Sequence, residues 1–162
     1  MDMDEPKPFA GSALLHPLVS CAVVLLLLND HVFKPCWPSW WTGKLSDVAG
    51  LAFFPLVLQA FWEHAEGLAR RRFHPSRGVL LACVLLTGVC FAATKLFPFA
   101  GNIWQWALGG TQWPFHALRA VMAGDTLPAV RPTAHTLDPT DLFTLPALLA
   151  SLRVGWRRAG DR

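Results

Sequence analysis

Apolar positions along the chain gather into four long runs with polar punctuation between them. From Phe9 to Asn29 there is no Asp, Glu, Lys or Arg, and Cys21 to Leu28 reads CAVVLLLL. About 20 such residues cross the hydrocarbon core of a bilayer as a helix, so a first span is predicted over about residues 10–30. The second run, Leu45 to Trp62, is interrupted only by Asp47 near its start and Pro55 in its middle. At about 1.5 Å per residue it reaches roughly 27 Å, enough for a thin crossing over 45–62. Gly78 to Thr94 is uncharged and closes at Lys95, giving a third span over 78–95. The fourth run, about 139–156, is the weakest, because Asp141, Pro146 and Arg153 leave a short apolar centre at Leu142 to Leu152. It reads as a fourth span, the other reading being an amphipathic helix lying on the membrane surface.

Between the third and fourth runs lies 96–138, too polar and broken for a clean span and too long for a turn. Trp104, Trp106 and Trp113 with Gly101, Gly109, Gly110 and Pro114 predict pieces resting at headgroup depth, where Trp rings concentrate. Phe115 to Met122 is expected to form a short interfacial helix before the proline-punctuated stretch Pro128, Pro132, Pro139.

Composition turns this pattern into a class. The apolar set is 53% of 162 residues, above the ~45–50% of soluble domains even when Gly is counted with it. At about 100–200 residues per domain the chain is one domain, 1–162, and a soluble core of that size does not hide four such runs. Disordered, collagenous and disulfide-stapled secreted classes are excluded. The expected fold is an all-α integral membrane protein, a four-span helical bundle with a Trp-rich extracytoplasmic loop and a short interfacial helix.

Charge sets the expected orientation. Net charge is only +3 and the basic residues are dispersed, which argues against a nucleic-acid partner. In a four-span arrangement one side holds Lys7, Arg70, Arg71, Arg72, Arg77, Arg153, Arg157, Arg158 and Arg162, and the other Lys34, Lys44, Lys95, Arg119 and Arg131. The excess of Lys and Arg marks the cytoplasmic side, so both termini are expected there, in a plasma (inner) membrane. Leu18-Val19-Ser20-Cys21 resembles a lipoprotein cleavage box only in outline. The apolar run follows the cysteine instead of preceding it and the leader Met1 to Glu5 is acidic, so an uncleaved first span is expected.

The two hairpins share an outline, as a duplicated helical hairpin would. Spans one and three end near Lys34-Pro35 and Lys95-Leu96-Phe97-Pro98, while spans two and four open on Ser46-Asp47 and Thr140-Asp141. Pro55 and Pro146 follow at unequal spacing.

Ionisable groups in membrane helices are costly and commonly face a bundle interior or a watery cavity, so they are the candidate chemistry. Asp47 with Lys44, Asp141 with Lys95, and Asp30 with Lys34 are candidates for a ligand site or ion pairs. Each has a plainer account. Asp47 and Asp141 would complement helix dipoles in a first turn, with Asp138 as N-cap and Pro139 in the first position. Lys34 lies four residues after Asp30, the spacing of an ordinary helical ion pair. His31, His135, Asp138 and Asp30 form a weaker set for acid–base chemistry or a divalent metal. Cys21, Cys36, Cys83 and Cys90 show no CxxC or metal-finger spacing. HExxH, GxSxG, GxxxxGK[ST], GxGxxG and CxxCH are absent, and no cofactor is called for.

The expected function is a non-enzymatic multi-pass membrane protein that binds or passes a small ligand, ion or lipid, or serves as a subunit of a membrane assembly. Its partners are the lipid bilayer and other membrane proteins. The alternatives are a membrane-embedded enzyme acting on a lipid or headgroup from the outer face, and a purely structural membrane partner.

Overall fold

A computed structural model describes residues 9–70 and 75–159. Lys7, Arg71, Arg72 and Arg162 of the charge count, and the acidic leader, lie outside them. Among the described residues all regular structure is helical. Three of the helices among the described residues are long and apolar enough to cross a membrane.

The first, α1 (Pro17–Cys36), opens with His16 in an extended conformation as N-cap, its Nδ1 accepting the Leu18 N–H at 3.2 Å, and Pro17 in the first helical position. The preceding part of the predicted span, Ser12–Leu15, is a 3₁₀ turn. Near its end α1 widens into a π turn at Asn29–Phe33. The second helix, α2 (Trp40–Arg70), is far longer than predicted at both ends. Lys44 and Asp47 did not end the pattern, because Lys44 is buried beside the Trp40 ring, with its Nζ 4.6 Å from the centroid. Asp47 is therefore about two turns into a helix. The dipole account of it as a first-turn residue does not hold. The third helix, α3 (Arg77–Leu96), matches its predicted span to within a residue at each end.

The stretch expected as an outer loop is mostly one helix, α4 (Pro98–Ala123). Its Trp, Asn, Gln and Gly residues lower hydropathy without forbidding a helix, and Pro98 stands at the tolerated first position. The fourth run is helical from end to end, as a 3₁₀ stretch Pro139–Ala147 followed by α5 (Leu148–Arg158).

The chain divides into two compact units, one holding residues up to Val89 and from Phe143 onward, the other Cys90–Leu142. In the first unit α1 and α2 form an antiparallel hairpin: Asn29 meets Thr42 and Ser46 at one end, and Gly11 meets Glu63 at the other. Helix α5 runs alongside α2 in the same direction, since Ser151 Oγ donates to the Leu51 carbonyl at 3.0 Å and Arg158 reaches Glu63 further along. Antiparallel to α5 runs α3, with Leu148 against Gly88 and Leu80 against Gly155. A Cβ at Gly155 would lie 2.6 Å from a Leu80 methyl, so the bare backbone is what lets the two helices approach. Ala13, Val19, Leu56, Leu80 and Val154 make the core. On α2 the buried stripe Ala49, Ala52, Leu56, Gln59 and Glu63 has the i, i+3/i+4, i+7 spacing of one helix face. Its last two members are polar.

In the second unit, α4 ends at Gly124 in a left-handed C-cap, with the Asp125 N–H returning to the Ala120 carbonyl at 2.9 Å. The chain then folds back along α4 as an extended strap. Trp113 Nε1 donates to the Pro128 carbonyl at 2.7 Å, the Thr133 N–H to the Gln105 carbonyl at 3.1 Å, and His135 Nε2 lies 2.8 Å from the Thr94 carbonyl. At Gly109 the Arg131 carbonyl sits where a Cβ would be, so only glycine admits the strap there. The strap fills the grooves left by Gly101 and Gly109, and that packing offsets the cost of glycine inside a helix.

Candidate functional site

Among the described residues, buried hydrogen-bonded polar side chains concentrate at three places, two in the first unit and one in the second. At the Asn29 end of the α1–α2 hairpin a chain of hydrogen bonds links the helices. Asn29, fully buried, donates from Nδ2 to the Thr42 carbonyl at 2.6 Å and to Ser46 Oγ at 2.7 Å. Ser46 Oγ donates onward to Asp30 Oδ1 at 2.8 Å, and Lys34 Nζ donates to the same oxygen at 2.6 Å. The Asp30 carboxylate is about two-fifths exposed. Asn29 Oδ1, in contrast, is buried with no hydrogen-bond partner among the described residues. A buried polar atom left unpaired costs about 1–3 kcal/mol, and a π turn inside an α-helix is often found at functional sites. Both features fall on Asn29.

Near this end α2 carries Lys44, buried, and Asp47, half-buried. Trp40 and Trp41 stack edge to face at 4.9 Å and are exposed, as is Trp37. Asp30 and Lys34 are thus both an i,i+4 pair and part of a network that crosses to a second helix.

In the second unit Lys95 Nζ donates to Asp141 Oδ2 at 2.6 Å, with each side chain only 10% exposed. Lys95 occupies the last turn of α3, where a cation complements the helix dipole, and its Nζ lies 5.4 Å from the Phe91 ring centroid. Asp138 Oδ1 accepts from the Thr140 N–H at 2.9 Å and from Thr140 Oγ1 at 2.7 Å, so the N-cap role expected of Asp138 is seen. Asp141 is more than a first-turn acid. It is one half of a buried ion pair.

The histidines are placed differently from one another. His31 is exposed with Nδ1 3.0 Å from the Leu27 carbonyl of its own helix, and His135 is committed to the Thr94 carbonyl on the strap. Among the described residues no group of three or more His, Cys, Asp or Glu is arranged to hold a metal ion.

The third concentration, at the opposite end of the first unit, was not foreseen. Glu63, 1% exposed, accepts from four donors: Arg158 through Nη1 at 2.8 Å and Nη2 at 3.0 Å, the Gly11 N–H at 2.8 Å, and Gln59 Nε2 at 3.1 Å. Arg158 Nη2 also donates to the Phe9 carbonyl at 2.8 Å. This bidentate pair ties the first described residues to the last helix. The sequence held one signal for it: Gln59 and Glu63 continue the helix-period stripe that begins at Ala49.

No family model, no curated protein and no solved structure matches the chain.

Proposed function

We propose that this chain is a non-enzymatic, multi-pass membrane protein of the plasma membrane that binds or passes a small ligand or ion, or holds a lipid, at the polar groups around the Asn29 end of its helical hairpin. The observation that carries this reading is the fully buried Asn29 Oδ1, left without a partner beside the Asp30–Ser46–Lys34 chain. A bound cation, or a ligand N–H or O–H, would satisfy that oxygen and the free lone pairs of the neighbouring carboxylate.

The topology proposed with it has four crossings and both termini in the cytoplasm. The fourth would be Pro139–Arg158, whose nine 3₁₀ and eleven α residues extend roughly 34 Å at about 2.0 and 1.5 Å per residue, against a core of about 30 Å. The contact between Phe9 and Arg158 supports placing both chain ends on one side. The basic residues Arg70, Arg77, Arg153, Arg157 and Arg158 support making that side the cytoplasm.

Thermal unfolding of the detergent-purified protein, titrated separately with sodium, potassium and magnesium chloride at constant ionic strength and with phosphatidylglycerol, tests the binding reading. At least one of these is expected to raise the midpoint by several degrees in the wild type, and the gain is expected to disappear in Asn29→Leu and Asp30→Asn. Asp47→Asn and Asp141→Asn report whether those carboxylates contribute. If every variant responds to each titrant as the wild type does, no binding site lies at this end of the hairpin.

A further inference from the structure

The strap that returns along α4 leaves a cleft of about 700 Å³ beneath its first half, in the size range of small-ligand sites. Arg119 and His116 on α4 and Arg131 on the strap line it, with Gln112, Trp113 and Asp125 completing the polar part of the wall. The strap's anchors fix the shape of this cleft: Trp113 is held by its indole N–H on the Pro128 carbonyl, and Arg131 by its own carbonyl lodged against Gly109.

Two arginines and a histidine therefore line one concavity with a single acidic residue, Asp125. Arg119 and Arg131 make no side-chain hydrogen bond and no ion pair among the described residues, so their donors are available to a ligand. A guanidinium's planar set of N–H donors matches phosphate oxygens in pairs, which a point-charge ammonium does not. Next to the cleft, α4 presents Phe115, Leu118 and Met122 as exposed apolar side chains. From Pro98 to Leu118 the helix carries no Asp, Glu, Lys or Arg. An apolar face that gives way to Arg and Trp is the gradient from acyl chain to headgroup.

We propose that the Arg119–His116–Arg131 cleft is a binding site for a phosphate group, presented on a phospholipid headgroup whose acyl chains lie along Phe115, Leu118 and Met122. This site is separate from the Asn29 site. It rests on the membrane reading only for the source of the phosphate; the phosphate chemistry stands on the cleft alone.

Native mass spectrometry of the full-length, detergent-purified protein tests it, with phosphatidylglycerol, the phosphate-free dioleoylglycerol and inorganic phosphate as separate probes. The wild type is expected to bind phosphatidylglycerol saturably and to show no such binding of dioleoylglycerol. Arg119→Gln and Arg131→Gln are each expected to weaken phosphatidylglycerol binding at the cleft about tenfold or more, the loss of one charge-assisted contact, and the double variant to lose one bound phosphatidylglycerol per chain that Asn29→Leu retains. Inorganic phosphate is expected to compete weakly. Phosphate binding as tight as that of the lipid would overturn the headgroup as the source, and would do so even if the chain proved not to span a membrane. Equal phosphatidylglycerol binding by the wild type and the double variant, with unfolding midpoints unchanged, would overturn the site itself.

Discussion

Arg158→Met is expected to destabilise the protein by about 3–5 kcal/mol, because it leaves the Glu63 carboxylate buried without its cation. Glu63 is 1% exposed, and two of its four donors come from that one guanidinium. The remaining donors, the Gly11 N–H and Gln59 Nε2, are neutral. Glu63→Leu alone is expected to cost a similar amount, since Arg158 is then left charged in a site where its side chain is only 11% exposed. The double variant Glu63→Leu/Arg158→Met is expected to lose much less than the sum. Replacing a buried pair with apolar groups of similar volume is often neutral, whereas removing one partner is not. Unfolding midpoints in detergent across this cycle provide the check. Limited proteolysis adds a second readout: Arg158→Met is expected to be cleaved sooner near Phe9, whose carbonyl loses its Arg158 donor, and Glu63→Leu near Gly11, whose N–H loses its acceptor. Additive losses would mean that the pair does not act as a latch.

The second large effect concerns Lys95 and Asp141. Asp141→Leu removes the carboxylate that accepts from the buried Lys95 ammonium at the end of α3, and Lys95→Met removes the ammonium that donates to the buried Asp141 carboxylate, so each is expected to cost on the order of 3 kcal/mol, with partial recovery in the double variant. Asp141→Asn is expected to be the mildest of the single changes, because its amide oxygen still accepts from Lys95. This ranking separates a pair that holds the Pro139–Ala147 stretch to α3 from a carboxylate that is dispensable for folding. Equal unfolding midpoints for Asp141→Leu and the wild type would show the second.

How much of this was legible in the sequence differs from helix to helix, for physical reasons. The bounds of α3 were read almost to the residue because Gly78 to Thr94 carries no charge and Lys95 closes it. The second was read short at both ends. Its buried Lys44 is set against Trp40, and its buried Glu63 accepts from Gln59, Gly11 and Arg158; hydropathy along a line does not register such pairing. Helix α4 was missed for a related reason: its glycines look like breaks until the strap is seen packed into them. Among the candidate site residues, the Asp30–Lys34 and Lys95–Asp141 pairs were legible, the first from its i,i+4 spacing and the second from matching positions at helix ends. Asn29 was not, because a lone amide at the end of an apolar run carries no signal until its partners on α2 are known. The Arg119–Arg131 cleft is equally invisible, since only the fold-back at Gly124 brings residues 119 and 131 to one wall.

Topology comes first, because the reading of the Asn29 end and the lipid source of the phosphate both depend on which groups sit at which face of a bilayer. In a variant lacking Cys21, Cys36, Cys83 and Cys90, single cysteines at Ser39, Arg70, Thr136 and Arg157 are to be probed with a membrane-impermeant maleimide on intact cells and again after permeabilisation. Four crossings with both ends inside predict that Ser39→Cys and Thr136→Cys are labelled on intact cells, and that Arg70→Cys and Arg157→Cys are labelled only after permeabilisation. Labelling of Arg157→Cys on intact cells would contradict the account, since it would leave the chain with three crossings and its ends on opposite sides.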